Sequence, residues 1–239
     1  TKSGGGTLTL SGGSSNTFTG LTTVSAGELD LAKTGTANAI SGNLTISGGT
    51  VKYTAAGTNQ IADTRTVTID GASAIFDLGA SHSDTVATVT LDGGGQITGT
   101  GTSTLTVNSA NTFAMSNGTV SAILGGSGAL NKTTANTVTL SGSNTYTGVT
   151  TISDGTLSIS GSINASTTVN VNGGLLSTTG VDKLANAAAV TVAGGTLTVG
   201  GADTVGTFNM SSGAITGTGP LTATTYGLSG GTVTGNLGT

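Results

Sequence analysis

The chain has no cysteine, no tryptophan and a single proline, and Asp, Glu, Lys and Arg together make up only 7% of its 239 residues. Each scarcity closes a class. Without Cys there is neither disulfide stapling nor a thiolate metal site. A propeller would repeat four strands per blade over about 40–50 residues with recurrent aromatics, and aromatics here are 3%. The net charge is −4, and Lys2, Lys33, Lys52, Arg65, Lys132 and Lys183 are scattered. Nucleic-acid binding needs clustered basic residues to displace counterions, so no nucleic acid is expected as a partner. No run of about 18 apolar residues exists, so no membrane insertion is expected of this segment. The opening Thr1-Lys2-Ser3-Gly4 lacks a signal-peptide hydrophobic region. The chain starts and stops inside a repeat pattern and is read as a fragment of a longer protein.

What is abundant is glycine, 43 residues, set among alternating Val, Ile, Leu and Thr. That alternation excludes a disordered linker, which is too poor in apolar side chains to form a core. One pattern recurs: an aliphatic residue, two spacers, Gly, one spacer, another aliphatic. It reads Val24-Ser-Ala-Gly27-Glu-Leu29, Ile46-Ser-Gly-Gly49-Thr-Val51, Met115-Ser-Asn-Gly118-Thr-Val120 and Ile152-Ser-Asp-Gly155-Thr-Leu157. It returns around Gly174, Gly195, Gly213 and Gly231. Before it stand alternating triplets such as Leu44-Thr-Ile46, Val67-Thr-Ile69, Val89-Thr-Leu91, Phe113-Ala-Met115 and Phe208-Asn-Met210, each reading as a strand with one buried face. Leu8-Thr-Leu10 and Val138-Thr-Leu140 are placed in the same opening slot. Strand, glycine corner, short strand and looser return make one coil of a solenoid.

The expectation is an all-β fold: a right-handed parallel β-helix of roughly 10–12 coils of about 18–25 residues, one continuous solenoid over residues 1–239. Steps between opening strands run 22, 23 and 22 from Val24 to Leu91, then 19, 21, 18 and 18 from Ile152 to Leu228. The interval between Leu91 and Ile152 is less regular and is assigned longer loops. The only segment with a hint of helix is Val181-Asp-Lys-Leu184-Ala-Asn-Ala-Ala-Ala189, worth one turn. At about 4.8 Å per rung the rod is about 50–60 Å long.

Two segments carry more than a generic coil. Thr7-Leu-Thr-Leu-Ser-Gly12 leads through Asn16-Thr-Phe-Thr-Gly20 to Leu21-Thr-Thr-Val24-Ser-Ala-Gly27-Glu-Leu29. Thr137-Val-Thr-Leu-Ser-Gly-Ser-Asn144-Thr-Tyr-Thr-Gly148-Val-Thr-Thr-Ile152-Ser-Asp-Gly155-Thr-Leu157 repeats it nearly residue for residue. Both resemble the passenger-associated repeat of bacterial autotransporters, over about a fifth of the chain. The first copy has two extra residues before Asn16 and Glu28 in place of Thr. The resemblance implies a secreted β-helix displayed on the bacterial outer surface and carried there by a C-terminal barrel, for which the segment ending at Thr239 shows no strand series. It implies no particular ligand.

Candidate chemistry concentrates in Asp63-Thr-Arg65, Asp70, Asp77, His82-Ser-Asp84 and Asp92. Asp70 and Asp92 fall in equivalent positions one coil apart, so their carboxylates are expected to stack about 5 Å apart. Such a pair suits glycan cleavage or a bridging Ca²⁺ ion. The plainer reading is that both are Asp-Gly corners in which Asp bonds its own turn, since the slot elsewhere holds Ser25, Ser47, Ser116, Ser153, Asn172 and Ser211. His82 beside Asp84 suggests a base with its orienting acid, but no nucleophile elbow accompanies it, and a solvated loop is expected there. No cofactor motif is present. The pairs Thr66/Thr68, Thr88/Thr90 and Thr137/Thr139 raise an ice-binding Thr array, interrupted at Ala114, Asn170 and Asn209.

The reading is therefore a structural, non-enzymatic, surface-displayed or secreted stalk, adhesin or filament segment with no catalytic or cofactor residues and only Asp70 and Asp92 as weak metal candidates. The alternatives are a glycan-binding or glycan-cleaving β-helix centred on Asp70, Asp77 and Asp92, and an ice-binding surface. Expected partners are a host or environmental glycan or protein receptor, and further copies associating end to end or laterally.

Overall fold

The computed structural model describes residues 1–55 and 58–238, and every regular element among them is a β-strand. Strand follows strand in parallel pairing, each with the strand about one coil later, from the Lys2–Val24 bridge to Asn236–Gly238. The result is a β-solenoid of about eleven turns, as the periodicity requires.

Three columns of strands run along the solenoid. The first begins at the Lys2 bridge and continues through Thr22–Val24, Leu44–Ile46, Thr66–Asp70, Thr88–Asp92, Thr112–Met115, Ala129–Lys132, Thr150–Ile152 and Thr168–Val171. It ends in the segments 189–192, 207–210 and 225–228. We number the rungs 1 to 12 along this column. The second column runs from Thr7–Gly12 and Glu28–Lys33 to Thr232–Val233. The third, where only a loose return was expected, holds short strands such as Ser83–Val86, Thr104–Val107 and Ile123–Gly125 and single bridges such as Ile40–Ile61 and Ile163–Leu184.

Alternation decides what faces inward. In Leu44–Ile46, Leu44 and Ile46 are buried while Thr45 is half-exposed, and the pattern recurs down the column. Leu29, Val51, Phe76, Ile97 and Val120 stack as one inward row in the second column. Burying a few such side chains gains about 1.5–3 kcal/mol each, against about 1–2 kcal/mol for every backbone fixed. One rung alone therefore does not close, and stability comes from stacking.

The glycine corner has a steric cause. Gly49 has φ 73°, and a Cβ there would come within 2.8 Å of the Ala26 carbonyl carbon one rung away. A side chain would push the rungs apart. In the copy at Val192–Leu197 the left-handed residue is Gly194 rather than the expected Gly195.

Three placements differ from expectation. Leu8-Thr-Leu10 and Val138-Thr-Leu140 do not open their coils: they lie in the second column, Leu8 beside Leu29 and Val138 beside Leu157. The opening strand of the seventh rung is Ala129–Lys132, and Lys132 occupies the inward slot between Met115 and Ile152. A lysine where the pattern demands an aliphatic hid that coil, so the interval assigned to longer loops contains two ordinary rungs. The segment around Val181–Ala189 is not helical; Leu184 bridges Ile163 and a turn follows.

Candidate functional site

The stacked acids come first. Asp70 and Asp92 end adjacent strands of the first column and are direct register partners. Asp92 Oδ1 accepts the N–H of Gly93 at 2.8 Å, the bond of an Asp-Gly corner. The Asp70 carboxylate lies over the next rung, where a Cβ on Gly93 would come within 2.7 Å of its Oδ1. Asp77 is elsewhere, facing outward in the second column, where Oδ1 accepts Gly79 N–H at 2.9 Å and Thr98 Oγ1–H at 3.0 Å. The register thus joins Asp70 to Asp92 and places Asp77 on another face. Among the described residues no group of three or more His, Asp or Glu side chains gathers as a metal site would need.

His82 and Asp84 do not form a solvated loop. Asp84 lies in the third-column strand Ser83–Val86 and is 3% exposed. Alternation turns it inward, where its Oδ2 accepts the Tyr53 hydroxyl and, at 2.9 Å, the N–H of Ile61. Burial pushes Asp84 up to about 7, although both hydrogen bonds favour its charged form. Burial likewise lifts the Tyr53 phenol well above its ordinary range, helped by the charge on Asp84. His82 is half-buried outside this pair, its Nδ1 2.9 Å from Leu78 O and its ring centroid 6.2 Å from that of Tyr53. This is a polar brace inside the coil, joining Asp84 to Tyr53 and to the backbone of Ile61.

The threonines divide between columns. Thr23, Thr45, Thr68 and Thr90 stack outward on successive rungs of the first column, and Ala114 then Asn131 break the row. Thr137 and Thr139 belong to the second column, beside Thr156 and Ser158, so they do not extend this array.

Reading the third column rung by rung exposes a device that the sequence pattern did not reveal. Rungs 1, 4, 7 and 10 carry Asn16, Asp84, Asn144 and Asp203 there. Asn144 Oδ1 accepts the N–H of Leu124 on the preceding rung at 2.9 Å, and its Nδ2 donates to Ser162 O on the next at 3.0 Å. Asp203 accepts from Lys183 N–H at 3.0 Å and Leu184 N–H at 3.2 Å; burial is the main cause of its raised pKa. Asn16 Nδ2 donates to Ala39 O at 2.8 Å. Asn38 on rung 2 donates likewise to Asn59 O at 2.9 Å, so polar side chains tie backbone to backbone on several rungs, satisfying groups that the loose return would leave bare. The signal in the sequence is an Asn or Asp beside the return, about sixty residues apart in the later copies.

Rungs 1 and 7 share more than this amide. Lys2 and Lys132 both occupy the inward first-column slot, against Val24 and Ile152. Lys2 Nζ bonds Gly4 O and, at 2.9 Å, Ala26 O. Lys132 Nζ bonds Thr134 O and, at 3.2 Å, Asp154 O, and burial lowers its pKa against the pull of Asp154 and Asp92. Two residues on from each amide come Phe18 and Tyr146. The model of the passenger-associated-transport-repeat family matches residues 1–31 and 130–159, about a quarter of the chain and the two segments just described. Passenger-type repeats therefore open this β-solenoid and return at its middle. No curated protein and no solved structure matches it significantly.

The two passenger repeats sit in different surroundings. In the second, Tyr146 is 0% exposed, its ring centroid 5.9 Å from that of Phe113 on the preceding rung. Its hydroxyl meets Thr150 Oγ1 at 2.8 Å, which meets Ser166 Oγ at 2.9 Å. In the first, Phe18 is 44% exposed and lines an open hollow of about 390 Å³ with Leu8, Leu10, Leu21 and Leu29.

Proposed function

We propose that this chain is a structural segment of a surface-displayed passenger: a stalk or adhesin rod that holds a binding face or tip away from the cell. The observation that carries this reading is the unbroken ladder of parallel pairing from Lys2 to Gly238, with a passenger repeat at its start and another at its middle. Strands paired along the whole rod resist bending, and polar side chains turned inward, such as Asp84 and Asn144, brace rungs rather than meet a substrate. Any receptor, glycan or protein, would then be met by the outer faces.

A glycan-active reading rests on one observation, the stacked Asp70–Asp92 pair. The two readings separate in one assay series. The rod and its Asp70→Asn/Asp92→Asn variant are screened on a glycan array and for reducing-end release from a panel of polysaccharides. A structural rod releases nothing, and any binding is unchanged in the variant. Sugar release that disappears with the two carboxylates would overturn the proposal in favour of catalysis.

A further inference from the structure

The outer faces of the solenoid differ in charge. On the second column Glu28, Asp30, Lys52 and Asp77 point outward, with Lys52 in register between Asp30 and Asp77. On the first column the outward row runs from Thr23 to Gly227 through rungs 2 to 12 and holds Thr, Ala, Asn and Gly alone. The row two residues earlier on each strand, from Asn43 to Thr225, is uncharged as well. Both lysines of this column, Lys2 and Lys132, turn inward to backbone carbonyls. The first column also keeps its register from Thr23 to Gly227, whereas the second slips between Thr98 and Thr100.

Charge returns at the two rims of this face, and with opposite sign. Arg65 leads into the strand Thr66–Asp70 and so stands on the entry rim at rung 4. Asp70 ends that strand and Asp92 ends its register partner, which puts both on the exit rim at rungs 4 and 5. Asp70 is exposed, and Arg65 is half-exposed with its Nε buried and without a hydrogen-bond partner. Asp63 and Asp154 stand further out, on the corners beyond the rims.

We propose that two copies of this rod pair side by side, first column against first column, with both rods pointing the same way. A two-fold axis parallel to the rods lays the entry rim of each copy over the exit rim of the other at the same rung, and the contact closes on itself. Arg65 of each copy then meets Asp70 and Asp92 of the other, so the rim charges pair twice over. With the rods head to tail, like rims would meet and rung 4 would lie over rung 10. Asp70 would then face the corner at Ala193 and Arg65 would face Ala188, both neutral. The rim charges therefore select the parallel pair. The uncharged face is about 50 Å by about 12 Å, roughly 600 Å² per copy and roughly 1,200 Å² in all, enough for a specific interface. A second copy suits it because its rungs repeat at the same spacing, so a contact made at one rung recurs at the next, with Thr and Asn rows facing across about 10 Å. The acids of the second column point away from the junction, which keeps apart the net charge of −4 on each copy.

Sedimentation equilibrium tests this, with circular dichroism to confirm that each variant folds. The unmodified rod should be a dimer. Thr68→Lys/Thr151→Lys, at outward positions of the first column, should leave a monomer, and Thr139→Lys/Ser177→Lys, on the second column, should leave the dimer intact. Arg65→Glu alone and Asp70→Arg/Asp92→Arg alone should each weaken pairing by at least about tenfold, since like charges then meet on both rims. An equimolar mixture of these two variants should recover it, because every rim pair is again of opposite sign. Asn209→Cys, a single thiol in a cysteine-free chain, should cross-link to its own kind through a short bis-maleimide, as parallel rods allow and head-to-tail rods do not. A rod that stays monomeric overturns the proposal, and one that meanwhile takes a glycan on this face assigns the face to the glycan instead. A dimer that tolerates Thr68→Lys/Thr151→Lys, a mixture that fails to pair, or Asn209→Cys dimers that do not cross-link overturn it equally.

Discussion

The same repeat appears at rung 1 with an open side and at rung 7 with none, so one sequence is seen both half-covered and fully enclosed. What differs is the neighbour. Tyr146 is sealed against Phe113 and wired through Thr150 to Ser166, whereas Phe18 lies on the first described rung and is exposed. Asn144 ties rungs on both sides, and Asn16 ties only the following one. The comparison teaches that the repeat is half of an interface: its residues are chosen for a rung that is not part of the repeat. Stability in a stacked array belongs to rung pairs, and the two copies separate intrinsic from pairwise terms without any mutation.

The largest break in the comparison should come from the aromatic. Tyr146→Ala removes a fully buried ring and one hydrogen-bond partner of Thr150, and should cost about 3–5 kcal/mol. Phe18→Ala, at a half-open site, should cost under about 1 kcal/mol in the monomeric rod. Urea midpoints give the ranking, and hydrogen exchange of the amides at rung 7 shows where the first substitution acts, since long arrays need not unfold in one step. Equal losses for the two would mean that the preceding rung adds nothing.

A second prediction sharpens the comparison by chemistry: the third-column tie is an acid at rungs 4 and 10 and an amide at rungs 1 and 7. Asp84 titrates near 3.8 when unfolded and is pushed up to about 7 in the fold by burial. Between those values the folded chain holds a proton that the unfolded chain has lost. Stability should therefore fall as pH rises from about 4 to about 7 and then level, by on the order of 4 kcal/mol in total. Asp203, raised in the same sense, adds to the slope. Melting temperatures across that range should drop for the unmodified chain and drop less for Asp84→Asn, which keeps an acceptor for Ile61 and Tyr53 without a titratable group. A slope unchanged by Asp84→Asn would place the proton elsewhere.

These ties mark the boundary of what the sequence makes legible. Period-2 alternation and the glycine corner gave the parallel solenoid, its turn number and the first two columns, because side-chain direction and φ are local properties. The pairing of Asp70 with Asp92 followed from spacing alone. The third column did not, since single bridges such as Ile163–Leu184 leave no alternating run to read. Lys132 hid a rung because an inward lysine breaks the aliphatic pattern, and only its register beside Met115 and Ile152 reveals it. Asp84 read as solvated because a lone acid in a polar stretch normally is. Its burial depends on Tyr53, 31 residues away, a contact no local pattern carries.

The smallest predicted difference is the most diagnostic. Asn144→Leu deprives the buried N–H of Leu124 of its acceptor and should cost about 1–3 kcal/mol. Asn16→Leu loses only a bond to Ala39 O at a wetter site, worth about 0.5–1 kcal/mol. In the monomeric rod the two substitutions should therefore be unequal. The readout is the difference between the two melting temperatures. Equal losses would mean that the bond from Leu124 to Asn144 adds nothing to the fold.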